Sequence, residues 1–305
     1  MRREGPTLVV DAGNALFKAT GLDTAEDQRR AAFILKTMGQ LGTVAMAPGA
    51  RDLNAGPSWL KSHAEKAKVA VLSANLVDAE NEPIFPASQV VEVGGKKIGL
   101  IGASPAGPVE NGQGAKGLPI APAVIAEARK LRPKTDLIVV LAAVPYSDAM
   151  RLSGDAGDQV DFIIQSHEGR GRGALQHGDG NFVMPGGERG RVLGKLTVDV
   201  SRKGPFVDAH EKERDAETLK ILEGQVAEVK KRLTAAQDPA AKAQLQKTLQ
   251  QFELRHKEVS KRLSSSRKAA GREVSLDWLT LSGDYASDPL LEAAVKQIEP
   301  NGAEH

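Results

Sequence analysis

Two uninterrupted apolar runs, residues 137–141 and 160–164, predict a pair of strands that are covered on both faces. Between them, Ser147 is suited to cap a short helix with an apolar stripe, and Gly154 with Gly157 is suited to end it. The pattern therefore predicts a strand–helix–strand unit over residues 136–169. In such a unit, ligands gather at the carboxyl ends of the strands.

The same periodicity predicts the other elements of an α/β protein. Helices are expected over residues 25–41, 59–67, 122–131 and 290–298, and strands over residues 8–10, 44–47, 69–72, 90–93, 96–102, 192–200 and 272–281. Gly94 and Gly95 can take the positive φ angles of a two-residue turn, so the strands on either side are expected to form a hairpin. Residues 104–122 are rich in glycine, proline and alanine and predict a long loop.

Residues 211–268 differ in character from the rest of the chain. They are rich in charged residues, glutamine and alanine, and their apolar positions recur at alternating intervals of three and four. The two series are Leu219, Leu222, Val226, Val229 and Leu233, then Leu245, Leu249, Phe252, His256, Val259 and Leu263. This pattern predicts an antiparallel helical hairpin with a coiled-coil seam, inserted between the strands at 192–200 and 272–281.

Composition and charge narrow the classes of function. The 305 residues, 41% of them hydrophobic, suffice for one sizeable core with an appendage or for two domains. The 41 basic and 39 acidic residues nearly cancel, which argues against binding to nucleic acid or to a membrane surface. No cysteine is present, so disulfides and thiolate metal sites are excluded. A strand begins within the first ten residues, so the sequence as given predicts a cytoplasmic protein without a signal peptide.

Five short motifs point to a known family. Residues 11–14 read DAGN, 48–53 PGARDL, 73–76 SANL, 95–102 GKKIGLIG and 166–169 SHEG. In this order they resemble motifs of the calcineurin-like metallophosphoesterases, specifically of the 5'-nucleotidase branch. The resemblance implies an α/β fold, an αββα sandwich of two mixed sheets formed by residues 1–207 and 271–305. The helical hairpin, residues 208–270, would be an insertion into that domain.

The resemblance also implies a two-metal centre, but most of its ligand positions carry other residue types here. Asn14 stands where the family has an aspartate that bridges the metals, and His167 matches the first histidine of a pair. The other positions hold Ala50, Ala143 and Gly169. The candidate metal ligands are Asp11, Asn14, Asp52 and His167, for Mn, Zn or Mg. The alternative for Asn14 is a tight turn after a strand.

Three arginines are candidates for phosphate binding, since a guanidinium group can hold a phosphate through two parallel hydrogen bonds. They are Arg51, Arg170 and Arg172. Arg51 stands where the family has its acid histidine, and Arg51 and His167 are the candidate catalytic residues. A guanidinium group stays protonated, so Arg51 is expected to bind and not to donate a proton. The alternative is a surface arginine paired with Asp52.

Taken together, these features favour a catalytically degenerate family member that acts as a binding or scaffolding protein. Residues 211–268 would then dock a protein partner or a second copy of the chain. The alternative is a divalent-metal-dependent phosphoester hydrolase, acting on nucleotides, with a reduced or relocated site that holds one metal on Asp11, Asp52 and His167. The family's first strand, with an Asp-x-His motif, would precede Met1. If it is encoded there with an export signal, the protein would be periplasmic or exported.

Overall fold

A computed structural model of the chain describes residues 5–21, 23–112, 114–166, 173–187, 190–265 and 271–298. The chain divides into two compact units, residues 1–195 with 276–305, and residues 196–275. No helix among the described residues is both long and apolar enough to cross a lipid bilayer.

The first part of the larger unit is a three-stranded parallel sheet with two helices. Its elements are β1 (Val9–Asp11), α1 (Ala25–Gln40), β2 (Thr43–Met46), α2 (Pro57–Ala67) and β3 (Ala70–Val71), and the strand order is β1-β2-β3. Helix α1 begins at a capping box, because Thr24 accepts a hydrogen bond from the Asp27 amide and the Asp27 carboxylate accepts one from the Thr24 amide. The helices predicted at 25–41 and 59–67 are confirmed.

A six-stranded mixed sheet follows. It contains β5 (Ser88–Val93), β6 (Lys96–Ala103), β9 (Leu137–Ala142), β10 (Phe162–Gln165), β11 (Gln176–His177) and β12 (Phe182–Met184), in the order β11-β12-β10-β9-β6-β5. The four central strands are parallel and the two outer ones antiparallel. Gly94 and Gly95 have φ angles of 59° and 72°, which confirms the predicted hairpin turn between β5 and β6.

Helices α3 (Ile120–Leu131) and α4 (Tyr146–Ala156) cover this sheet. The unit β9-α4-β10 confirms the predicted strand–helix–strand unit. The prediction of Ser147 as the helix cap was wrong, because α4 begins at Tyr146 and Pro145 takes the N-cap position. Strand β9 is buried along its whole length. Its residues alternate between two environments, and Ile138, Val140 and Ala142 share a core with Leu152 of α4. A second core lies between α1, α2 and the three-stranded sheet, around Leu35, Met46 and Leu60.

The segment predicted as a plain loop contains regular structure instead. Strands β7 (Gly107–Pro108) and β8 (Lys116–Gly117) pair with each other, and β8 also pairs with β4 (Leu76–Val77). The pairing is held by the backbone of Asn75, whose carbonyl oxygen accepts a hydrogen bond of 2.7 Å from the Leu118 amide. The prediction of a long loop over 104–122 was wrong, because these two-residue strands are fixed by a distant partner and not by local composition.

The smaller unit contains two long helices and a short parallel strand pair. Helices α5 (Glu211–Ala235) and α6 (Pro239–Ser265) follow β14 (Phe206–Asp208). Two ion pairs show that the helices lie antiparallel. Arg262 pairs with Asp215 near one end (2.6 Å), and Lys230 pairs with Glu253 nearer the other end (2.9 Å). Leu222, Val229 and Val259 are buried in this unit.

The remaining elements are two strands and a terminal helix. The strands are β13 (Val192–Val198) and β15 (Arg272–Thr280), and their sheet has the order β13-β15-β14. Strand β14 pairs in parallel with β15. Helix α7 (Pro289–Ile298) ends the described part of the chain and confirms the helix predicted at 290–298.

Candidate functional site

The loops after β1 and β2 and the carboxyl ends of β9 and β10 meet at Gly13. A Cβ atom placed on Gly13 would lie 2.1 Å from the Ala47 carbonyl oxygen and 2.9 Å from the Ala143 methyl group. The hydroxyl of Ser166, directly after β10, donates a hydrogen bond to the Gly13 carbonyl oxygen. Gly13 has a φ of 96°, a region that glycine enters without strain. This meeting point is the place where the sequence predicts a metal centre.

Asp52 is fully buried beside this point, and its carboxylate is surrounded by backbone amides. One oxygen, Oδ2, accepts hydrogen bonds from Asn14 N (2.5 Å) and Gly49 N (2.9 Å). The other, Oδ1, accepts from Ala15 N (2.9 Å) and Leu16 N (3.0 Å). Burial raises the pKa of Asp52, and these four N–H groups oppose the rise. A carboxylate has about four lone-pair positions, so all of them are engaged within the protein.

Asp11 and Asn14 lie on the loop after β1. Asp11 is partly buried, and its Oδ1 accepts a hydrogen bond of 2.6 Å from the Gly13 amide. Burial raises the pKa of Asp11 to about 6, the Gly13 N–H group opposes this rise, and the neighbouring charge of Asp52 adds to it. Asn14 is buried with a left-handed φ of 60°. Its Oδ1 accepts a hydrogen bond of 3.3 Å from the Arg51 amide. Its Nδ2 has no hydrogen-bond partner in the described part of the chain.

The guanidinium group of Arg51 is directed to the loop after β1. Its Nη1 donates a hydrogen bond of 3.2 Å to the Lys18 carbonyl oxygen, on a partly exposed face of the chain. Ala50 is exposed next to it, whereas Ala143 is completely buried. The structure therefore brings together Asp11, Asn14, Arg51 and Asp52. The other predicted site residues, His167, Arg170 and Arg172, and also Gly169, lie outside the described residues.

Among the described residues, the donor groups around Gly13 do not by themselves supply a two-metal centre. Such a centre needs several carboxylate or imidazole ligands around two ions about 3.5–4 Å apart. Within the described ranges no group of three or more histidine, cysteine, aspartate or glutamate side chains is placed to hold a metal ion. The four amides leave Asp52 no lone pair for a metal. Of the predicted metal ligands in the described residues, the Asp11 carboxylate and the Asn14 amide oxygen remain.

Three small residues that were not predicted from the sequence shape this region. Gly13 and Gly49 permit the close approach of the two loops, since a Cβ atom on Gly49 would lie 2.4 Å from the Asn14 side chain. Ser166 ties the end of β10 to the loop after β1. Their positions just after strand ends could have indicated them. Gly13 lies two residues after the end of β1, and Ser166 follows β10 directly.

Comparisons with known proteins identify the fold. No protein-family model and no curated protein matches the sequence. Among solved structures, a 5'-nucleotidase precursor from Thermus thermophilus is 25% identical and covers 65% of this chain and 43% of its own, with a TM-score of 0.54. A Staphylococcus aureus protein assigned as a 5'-nucleotidase is 13% identical and covers 96% of this chain and 49% of its own, with a TM-score of 0.57.

The third similar structure is the calcineurin-like phosphoesterase YfkN from Bacillus subtilis, which is 18% identical and covers 64% of this chain and 72% of its own, with a TM-score of 0.51. The chain therefore has the mixed α/β fold of the calcineurin-like metallophosphoesterases. Within that class its structural neighbours belong to the 5'-nucleotidase branch, as predicted from the sequence motifs. The chain spans less than half the length of the two 5'-nucleotidase chains.

Proposed function

We propose that this chain is a catalytically degenerate member of the 5'-nucleotidase branch, acting as a binding or scaffolding protein through α5 and α6. The observation that carries the proposal is the hydrogen bonding of Asp52. All its lone-pair positions are engaged by the amides of Asn14, Ala15, Leu16 and Gly49. A carboxylate used in this way stabilises a loop and is not available to a metal or a substrate.

The packing around Gly13 supports the same proposal. Ala143 is completely buried at the end of β9, where a catalytic relative would carry a histidine, and its methyl group faces Gly13. The hydrogen bond from Ser166 to the Gly13 carbonyl oxygen joins the end of β10 to this contact. Backbone and small side chains thus occupy space in which the chemistry would need imidazole ligands.

We expect negligible hydrolysis of nucleoside monophosphates and of aryl phosphates in Mn²⁺, Zn²⁺ or Mg²⁺. The Thermus thermophilus 5'-nucleotidase is the matched control, and we expect turnover at least about 10³-fold below it, because metal-ion activation of water and of the phosphoryl group is lost. Elemental analysis of protein purified with excess Mn²⁺ or Zn²⁺ is the second measurement. Two tightly held ions per chain would contradict the proposal.

The second candidate function is a metal-dependent phosphoester hydrolase with a reduced or relocated site. It is favoured by one observation, that Asp11 and Asn14 present a carboxylate and an amide oxygen on the same loop. A single ion on Asp11 with His167 would supply a polarised phosphoryl oxygen or an activated water. Metal-dependent turnover that is lost in both Asp11→Asn and His167→Ala would establish this function in place of the first.

The proposed docking element is the pair of helices α5 and α6. Ile221 on α5 is 56% exposed and Leu254 on α6 is 61% exposed, among side chains that are otherwise mostly charged or polar. An exposed apolar side chain gains free energy when another protein covers it, at about 25 cal/mol per Å² of apolar area removed from water. We propose that this surface binds a protein partner or a second copy of the chain.

Self-association is tested by sedimentation velocity of the parent and of the double variant Ile221→Lys, Leu254→Lys. We expect the parent to sediment as a dimer or larger and the variant as a monomer, because a charge in each contact opposes its burial. Gln225→Lys with Gln251→Lys, at exposed positions on the same helices, is the matched control and should leave the parent's behaviour unchanged. A monomeric parent would limit the docking role to a different protein.

A further inference from the structure

The loop after β1 gathers successive backbone N–H groups on one side. Gly13 and Asn14 both have left-handed φ angles, 96° and 60°. The amides of Asn14, Ala15 and Leu16 point at a single carboxylate, with N···O distances of 2.5, 2.9 and 3.0 Å. Consecutive amides arranged in this way form a concavity that favours anions.

A second segment completes the concavity. The Gly49 amide donates to the same carboxylate at 2.9 Å, and the lack of a side chain at Gly49 lets Asn14 approach closely. The Nδ2 group of Asn14 is buried without a hydrogen-bond partner among the described residues. It is a further donor beside Gly49, since a Cβ atom placed on Gly49 would lie 2.5 Å from it. An unpartnered buried donor costs free energy, so the region has more donors than its present acceptor satisfies.

We infer that the amides of Asn14, Ala15, Leu16 and Gly49 form an anion nest whose ligand in this chain is its own Asp52 carboxylate. A small external carboxylate binds in the same place when that side chain is removed. All four donors to Asp52 are backbone N–H groups. A substitution of the Asp52 side chain therefore leaves these donors in the chain. Asp52 follows Gly49 by three residues, and the turn between them, closed by a 3.1 Å hydrogen bond from Asp52 N to Gly49 O, delivers the carboxylate to the nest.

In the intact protein the anion nest is already filled. Its four amides attract anions, yet all of them are engaged by Asp52, so external formate or inorganic phosphate gains no hydrogen bond from them. The anion nest is therefore an internal site that holds the loops after β1 and β2 together. It rests on the same four hydrogen bonds of Asp52 as the proposed loss of catalysis, but its test measures anion binding and not turnover, so the two can fail separately.

Thermal unfolding of Asp52→Gly in sodium formate and in sodium chloride at equal ionic strength tests the inference. A ligand that binds only the folded chain raises its melting temperature, and at about tenfold excess over Kd we expect a gain of roughly 2 °C in formate over chloride. The parent protein should melt at the same temperature in both salts. Asn54→Ala, which removes a buried and uncharged side chain from the same turn, should also show no preference for formate.

Two outcomes would overturn the inference. One is an equal melting temperature of Asp52→Gly in the two salts, and the other is an equal gain from formate in the parent or in Asn54→Ala. If Asp52→Gly does not fold in chloride, refolding from urea into each salt replaces the melting experiment. Recovery of the folded state in formate alone supports the anion nest, and failure to recover in formate refutes it.

Discussion

Replacing Asn75 by alanine is expected to lower the free energy of unfolding by about 4 kcal/mol, one of the largest single effects that we expect in this chain. Asn75 is completely buried, and its Nδ2 donates to the carbonyl oxygens of Ser104 and Leu118, both at 2.9 Å. Its Oδ1 accepts from the Ser104 amide at 2.9 Å. Truncation would leave the buried amide and carbonyl groups of Ser104 and the part-buried carbonyl group of Leu118 without these partners, and the buried groups carry the larger desolvation cost.

Urea unfolding, monitored by circular dichroism, measures this loss. Gln28→Ala is the control, because Gln28 makes its 2.6 Å side-chain hydrogen bond to Asp23 on an exposed face. We expect it to change stability by less than about 0.5 kcal/mol. If Asn75→Ala lowers the free energy of unfolding by less than about 1 kcal/mol, the prediction is wrong. Water would then replace the missing amide and reach a site that is buried in the structure.

Much of the fold could be predicted from the sequence, because its main signals are local. The apolar runs of β9 and β10, the helix between them and the Gly94-Gly95 turn each depend on neighbouring residues. The short strands β7 and β8 could not be predicted. Strand β7 pairs with β8, and β8 pairs with β4, about 40 residues away along the chain, where Asn75 also bonds to Leu118; these short segments carry no periodic signal.

The candidate site was predictable in position but not in bonding. The family resemblance at residues 11–14 and 48–53 implied a shared site for Asn14, Arg51 and Asp52, and in the structure these residues are neighbours. Their binding of a metal or a phosphate stays a prediction. The engagement of Asp52 by four amides depends on the left-handed φ angles of Gly13 and Asn14 and on the close approach at Gly49. Those are properties of backbone conformation that residue type alone does not specify.

Replacing Asp11 by asparagine is expected to stabilise the protein at neutral pH and to remove part of its pH dependence. The pKa of Asp11 is raised from the ordinary value of 3.8 to about 6, mainly by burial. The folded chain therefore takes up a proton more readily than the unfolded chain between about pH 4 and pH 6. The contribution of Asp11 to the free energy of unfolding is therefore greatest below about pH 4, and it is lost as the pH rises through about 6.

Above that range, the charged carboxylate costs up to about 3 kcal/mol, since a tenfold change in a proton affinity corresponds to about 1.4 kcal/mol. Asparagine keeps an oxygen for the Gly13 amide and carries no charge beside Asp52. Urea unfolding of Asp11→Asn and the parent at about pH 4.5 and about pH 7.5, in buffers with a chelator, should show a gain at the higher pH that shrinks at the lower. The exposed Asp155→Asn is the matched control and should follow the parent at both values. If the variant is less stable than the parent at the higher pH, the prediction is wrong. The Asp11 charge would then be stabilised in the folded chain by a group other than its contacts in the described structure.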